Sequence, residues 1–192
     1  MTVSEILERL RSQDLVPLRL PSHYRQAAVA VILRESRDGL RMLFIQRTAH
    51  PGDPWSGHMA FPGGRVDPED ESPLAAARRE TMEEVGIFLE DRHYVAPVQE
   101  IQASARGSRM ELIVFPFVFY WDGDSELIHA ADEVAATVWV PVDLVLDQTR
   151  HTTFMNQYED KTVQMNCIEY EGYRIWGMTY RMIQNLISAV NA

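Results

Sequence analysis

The chain has a single cysteine, Cys167, in 192 residues. A lone thiol excludes an intramolecular disulfide and cannot build a thiolate metal cluster by itself. With no histidine near it in sequence, Cys167 reads as a small buried hydrophobe rather than a nucleophile. Long apolar runs are also missing. No stretch approaches the length that spans a bilayer, and residues 1–20 lack the apolar region of a signal peptide. A soluble, cytoplasmic protein without a membrane partner is therefore expected. No Pro/Ser-rich linker, internal repeat or low-complexity tract divides the chain, and its length suits one well-packed domain over residues 1–192. Positive charge is scarce: 18 Lys and Arg stand against 28 Asp and Glu, a net charge of −10. A polyanion is usually met by a basic surface, so this balance argues against broad nucleic-acid binding. It also disfavours an anionic small substrate, unless the site supplies positive charge locally.

What the chain does carry is concentrated between Gly64 and Ile87. Ser72 can cap the free amides of a first helical turn, Pro73 suits the first helical position, and Gly86 can take the left-handed conformation that ends a helix. Leu74, Ala77, Thr81 and Val85 recur at helical spacing, a small apolar stripe that should pack on a sheet. Glu80, Glu83 and Glu84 fall at i, i+3 and i+4 and are expected together on the side of the helix opposite that stripe. Three like charges there repel one another, and they sit near the helix C-terminus, where the macrodipole disfavours them. A solvated acidic face is one reading; hard cations with oxygen ligands, which would offset the repulsion, are the other. Arg79 can reach Glu83 at i+4 and support the group without being a ligand.

This segment resembles the Nudix box, matching it at Glu71, a seven-residue gap, Arg79-Glu80, Glu83-Glu84, Gly86 and Ile87. It departs where six residues rather than five separate Gly64 from Glu71, and where Thr81 replaces an apolar residue. The box (64–87) covers about an eighth of the chain. The resemblance implies an α/β/α sandwich with a mixed central sheet, a 1–20 helical extension and a C-terminal helix. It implies Mg2+ or Mn2+ held by Glu80, Glu83, Glu84 and the Gly64 carbonyl, with Gly63 and Gly86 as structural support. The implied activity is hydrolysis of a diphosphate within a nucleoside diphosphate linked to a group X, a small-molecule nucleotide substrate; a homodimer is expected by analogy.

The remaining segments fit that architecture. Gln26 to Arg34 and Met42 to Gln46 read as a hairpin around Arg37 to Gly39, followed by strands at His58 to Phe61, Val95 to Ala103, Leu112 to Tyr120 and Thr137 to Val140. Val3, Ile6, Leu7 and Leu10 suggest an N-terminal helix capped by Thr2 or Ser4, and residues 176–190 a C-terminal one. Arg47, after a strand, either holds a phosphate bidentately or is a solvent-facing strand end. His58 either contacts substrate and donates a proton or is merely a polar loop residue. Trp55 and Phe61 stack on a base or anchor the core. Attack by water also needs a base near the metal, which Glu80, Glu83 or Glu84 could supply; the resemblance implies catalytic roles for Glu83, Glu84 and a carboxylate from another loop, Glu133 before Glu100, each of the last two otherwise an exposed charged residue.

The run from Ile45 to Gly64, and Ile175-Trp176-Gly177-Met178-Thr179, are similar to segments of the coenzyme A pyrophosphatase subgroup. That subgroup carries a second arginine about five residues after the first, where this chain has Pro51-Gly52-Asp53. The alternatives are a nucleotide sugar or dinucleotide as substrate, or a Nudix-fold sensor that binds a nucleotide without cutting it.

Overall fold

The computed structural model describes the chain except residues 20, 53–54, 106–107, 125–126, 129, 131 and 159–160. Strand β1 (Arg25–Ser36) turns at Arg37 and Asp38 into β2 (Gly39–Arg47), the expected hairpin, with Ser36 opposite Gly39. β2 pairs on its other edge with β3 (Met59–Ala60) and β8 (Val134–Pro141), and β4 (Gly63–Arg65) pairs antiparallel with β1. β1 then runs parallel to β7 (Ser108–Tyr120), which carries β5 (Tyr94–Pro97) and β6 (Ile101–Ala105). The result is a mixed eight-stranded sheet.

Both faces of that sheet are covered, which explains why β1 reads as a nearly continuous apolar run rather than an alternating one. Ala27, Val29, Val31 and Leu33 point to one side, into a cluster with Ile6 and Leu10 of helix α1 (Val3–Ser12) and Met182, Ile183 and Leu186 of helix α4 (Gly177–Asn191). Ala28, Ala30 and Ile32 point to the other, against Ala76, Ala77 and Val85 of helix α2 (Pro73–Val85). Helix, sheet and helices, with the short α3 (Val142–Leu146) following β8, make the α/β/α sandwich. No helix among the described residues is long and apolar enough to cross a membrane.

Some boundaries differ from the sequence reading. The strand expected over 95–103 divides into β5 and β6: the side chains of Gln99 and Glu100 turn to the amides of Val16 and Leu18. The N-terminal helix is capped by Thr2, with Glu5 completing the capping box, and ends at Ser12, so residues 13–19 run on without helix. Trp176 belongs to β11 (Tyr173–Trp176), not to the C-terminal helix, because it pairs across to Cys167 and Gly177 (φ +64°) breaks the chain direction. β11 closes a second sheet with β9 (Thr152–Tyr158) and β10 (Lys161–Tyr170). That sheet escaped the sequence reading because the first half of β10 is exposed on both faces and shows no apolar alternation.

Candidate acidic site

Helix α2 is built as its caps dictate. The Ser72 hydroxyl accepts from the Ala75 amide at 3.1 Å, Pro73 opens the helix, and Gly86 ends it at φ +71°. The distribution of its carboxylates is the main correction. Glu84 does not lie opposite the apolar stripe: three residues after Thr81 and seven after Ala77, it shares their buried face, and it is 2% exposed. Glu80 is half-buried at the edge of that face, and Glu83 points outward.

Glu84 Oε2 accepts a 2.8 Å hydrogen bond from the Gly63 amide. The turn that presents this amide depends on two glycines. Gly63 has φ +146°, and a Cβ there would stand 2.2 Å from the Ala28 carbonyl oxygen. Gly64, on the opposite face of β4, lies under Glu80, so that a Cβ would come within 2.6 Å of its carboxylate. The two glycines thus let backbone approach the carboxylates more closely than any side-chain-bearing residue allows.

Glu133 arrives from a distant segment. The last carbonyls of α2 lack intrahelical partners, and those of Glu84 and Val85 accept instead from the amides of Ala130 and Ile128, at 3.0 and 3.2 Å. The Ala130 carbonyl in turn accepts from the amides of Glu133 and Val134, while the Glu133 carbonyl accepts from Thr48 at the end of β2. Carboxylate oxygens of Glu80, Glu84 and Glu133 thereby come within 4.8 Å of one another. Of the residues expected in the site, these three are brought together. Glu83 is placed outside the group, 3.0 Å from Arg79, and Glu100 is tied to the N-terminal segment.

The electrostatics follow from burial. Desolvation pushes the Glu84 carboxyl up to about 8; the Gly63 amide and Arg47 oppose this, while Glu80 and Glu133 add to it. Glu80 is raised as well, chiefly by burial, with Arg79 opposing. Such a set is poorly balanced by protein charge alone. All its donors are hard carboxylate oxygens, it contains no thiolate or imidazole, and the space over Gly64 is kept clear of side chain. These residues fit a divalent Mg2+ or Mn2+ ion.

Arg79 braces the approach. Its guanidinium donates to both oxygens of Asp70, at 3.0 and 2.9 Å, and also to Glu80, Glu83 and the Arg65 carbonyl. It holds the Asp70 carboxyl below its ordinary range. Asp70 was not singled out from sequence, and it resolves the irregular gap: residues 65–69 are the five that separate Gly64 from Asp70, whereas Glu71 beside it is exposed. Counting from Gly64 would have found it; counting back from Arg79 favoured Glu71.

On the other face of β4 lies a cavity of about 550 Å3, floored by Ala27, Val29, Leu112 and Val114 and walled by Phe61, Met178 and Met182. Arg47, Trp55 and His58 line it as well, so the expected substrate-side residues do converge there. The His58 ring lies 4.5 Å from that of Trp176, and Thr179 donates to the Met59 carbonyl at 2.8 Å, fixing α4 against β3. Phe61 stacks on Phe44 in the core and is 1% exposed, which favours its anchoring role. Asp53, of the Pro51-Gly52-Asp53 departure, lies outside the described residues.

An α/β/α sandwich whose central helix gathers carboxylates against a double-glycine turn, with a ligand-sized cavity lined by the same two glycines, defines a protein with an acidic centre suited to divalent cations and their anionic ligands. Residues 23–160 match the NUDIX domain, and the chain belongs to the Nudix hydrolase family. It is 32% identical over 190 residues to the Nudix hydrolase NudL of Shigella flexneri serotype 5b, covering 97% of this chain and 93% of that protein. A Schizosaccharomyces pombe protein is 37% identical over 144 residues, 65% of this chain; the match spans only 44% of that longer protein. Among solved structures, a MutT/nudix family protein from Enterococcus faecalis superposes with a TM-score of 0.58 at 21% identity, covering 100% of this chain and 69% of that one. That likeness supports the fold.

Proposed function

We propose that this chain hydrolyses the diphosphate bond of a nucleoside diphosphate linked to X, with coenzyme A or an acyl derivative as substrate and 3',5'-ADP and a phosphopantetheine as products. The observation that carries the reading is the convergence of Glu80, Glu84 and Glu133 beside the Gly63-Gly64 turn, with Arg47 and the apolar cavity on the adjoining face. The coenzyme A assignment rests on the resemblance of the segments around Ile45–Gly64 and Ile175–Thr179 to that subgroup.

In this reading Glu80, Glu83 and Glu84, with the Gly64 carbonyl, would hold the cation, Glu83 giving up its contact with Arg79 to do so. A bound divalent ion neutralises charge on the carboxylates and on the diphosphate. Arg47 takes a phosphate oxygen of the substrate and aligns the bond to be cut. Glu133, the most exposed of the three, accepts the proton from the attacking water, and its backbone bonds to Thr48 and Ala130 hold it in place. His58, against Trp176, borders the bound substrate. Arg79 acts on Glu80 and Glu83 and touches no reacting atom.

The test is a panel of coenzyme A, nucleotide sugars, dinucleotides and ADP-ribose at equal concentration, with magnesium, with manganese and with chelator, products being identified by mass. Phosphopantetheine and 3',5'-ADP are expected only with metal. Preferential cleavage of another member would move the assignment to that substrate, and tight binding without turnover under every metal condition would make the protein a nucleotide sensor.

A further inference from the structure

Two exposed arginines that line the cavity are not used in the proposed cleavage. Arg65 ends β4 directly opposite Ala27 of β1, and Arg25 lies two residues before Ala27 on the same face. In an antiparallel pair such diagonal neighbours sit roughly 7–8 Å apart, within joint reach of two long side chains. The ladder continues past them, since the Val66 amide donates to the Gln26 carbonyl at 3.0 Å, so their spacing is fixed by backbone. Both line the cavity and both are exposed. Neither guanidinium has a hydrogen-bond or ion-pair partner among the described residues, although 28 acidic side chains outnumber 18 basic ones.

Strand alternation sharpens the division of labour. Gly64 faces the carboxylates of α2, whereas Arg65 faces the cavity on the other side of the same strand. A substrate whose diphosphate lies at the glycine turn and whose nucleoside half enters this cavity has that half within reach of a second cationic point, away from the bond to be cut. Two planar guanidiniums without carboxylate partners suit a dianionic phosphomonoester, which offers oxygens for both. We infer that Arg25 and Arg65 form a subsite for a phosphomonoester carried on the nucleoside half of the substrate. The inference rests on the proposed hydrolase reading, and it supplies from β1 and β4 the positive charge that Pro51-Gly52-Asp53 does not provide.

The experiment compares ligands that differ only in that phosphate. Coenzyme A and dephospho-coenzyme A are assayed with the native chain and with an Arg25→Gln/Arg65→Gln variant, and binding of 3',5'-ADP and of AMP is measured by calorimetry on both proteins. The native chain should prefer the phosphorylated member of each pair, and the variant should lose that preference by about tenfold or more, mostly through KM. Circular dichroism and each single variant control for folding. If neither coenzyme is cleaved but 3',5'-ADP still binds better than AMP in an arginine-dependent way, the subsite stands and the substrate reading falls. If coenzyme A is cleaved and the preference is equal in native and variant proteins, the subsite is wrong. Equal affinity of the native chain for 3',5'-ADP and AMP would also overturn it.

Discussion

Glu84 is the residue on which burial, hydrogen bonding and charge meet. Burial pushes its carboxyl up to about 8, well above the ordinary carboxylate range, so the fold holds its proton more tightly than the unfolded chain does. The resulting stability is complete below about 4.5 and is lost as the pH rises through about 8. Thermal melts in chelator should therefore fall across that window, and Glu84→Gln should flatten the trend; a native protein whose melting point climbs steadily from pH 5 to 8 would contradict this. A cation competes with that proton, so magnesium affinity should tighten over the same window. Asp70 works in the opposite sense, since Arg79 lowers its carboxyl and its contribution disappears only in acid. For catalysis, Glu84→Gln should reduce kcat/KM by at least about a hundredfold with an unchanged circular dichroism spectrum. Near-normal turnover would remove Glu84 from the essential set.

At the scale of elements, the irregular loop before α2 becomes regular once Asp70 is seen to hold Arg79. Asp70→Asn should cost about 1–3 kcal/mol, because it weakens a charge-assisted pair whose acid is only 7% exposed. Glu71→Gln should stay within about 0.5 kcal/mol. Chemical denaturation of both variants checks the order, and the reverse order would return the role to Glu71. The capped helix and the central hairpin were legible from sequence because Ser72, Pro73, Gly86 and the turn at 37–39 are local signals. Which carboxylate is buried was within reach of the helical spacing, since Glu84 lies three residues after Thr81 and seven after Ala77 whereas Glu83 lies opposite the stripe; what only the packing of α2 on Ala28 and Ala30 adds is how deeply that face is covered. Arg25 and Arg65 were silent, since strand pairing across forty residues of sequence makes them neighbours.

For the molecule as a whole, an ion held at the acidic centre would couple ligand binding to stability. An ion that binds only the folded chain stabilises it by about 2.7 kcal/mol at a hundred times its Kd. Saturating magnesium should raise the melting temperature of the native protein and have little effect on Glu84→Gln. Equal shifts in both would place the ion elsewhere. The β9–β11 sheet and the 13–19 segment lay beyond sequence reading because their stability comes from contacts with α4 and with Gln99 and Glu100, not from a pattern of their own.

The segment carrying Glu133 is fastened to the end of α2 through main-chain amides of Ile128 and Ala130. Every amino acid except proline offers such an amide, so the side chains at these two positions can drift over evolutionary time while the carboxylate stays where it is. Descendants of this chain can therefore remodel the rim of the site, and with it the range of molecules admitted, without rebuilding the centre. Ala130→Pro should displace Glu133 and abolish turnover, whereas Ala130→Ser should be tolerated; an active proline variant would show that the amide is dispensable.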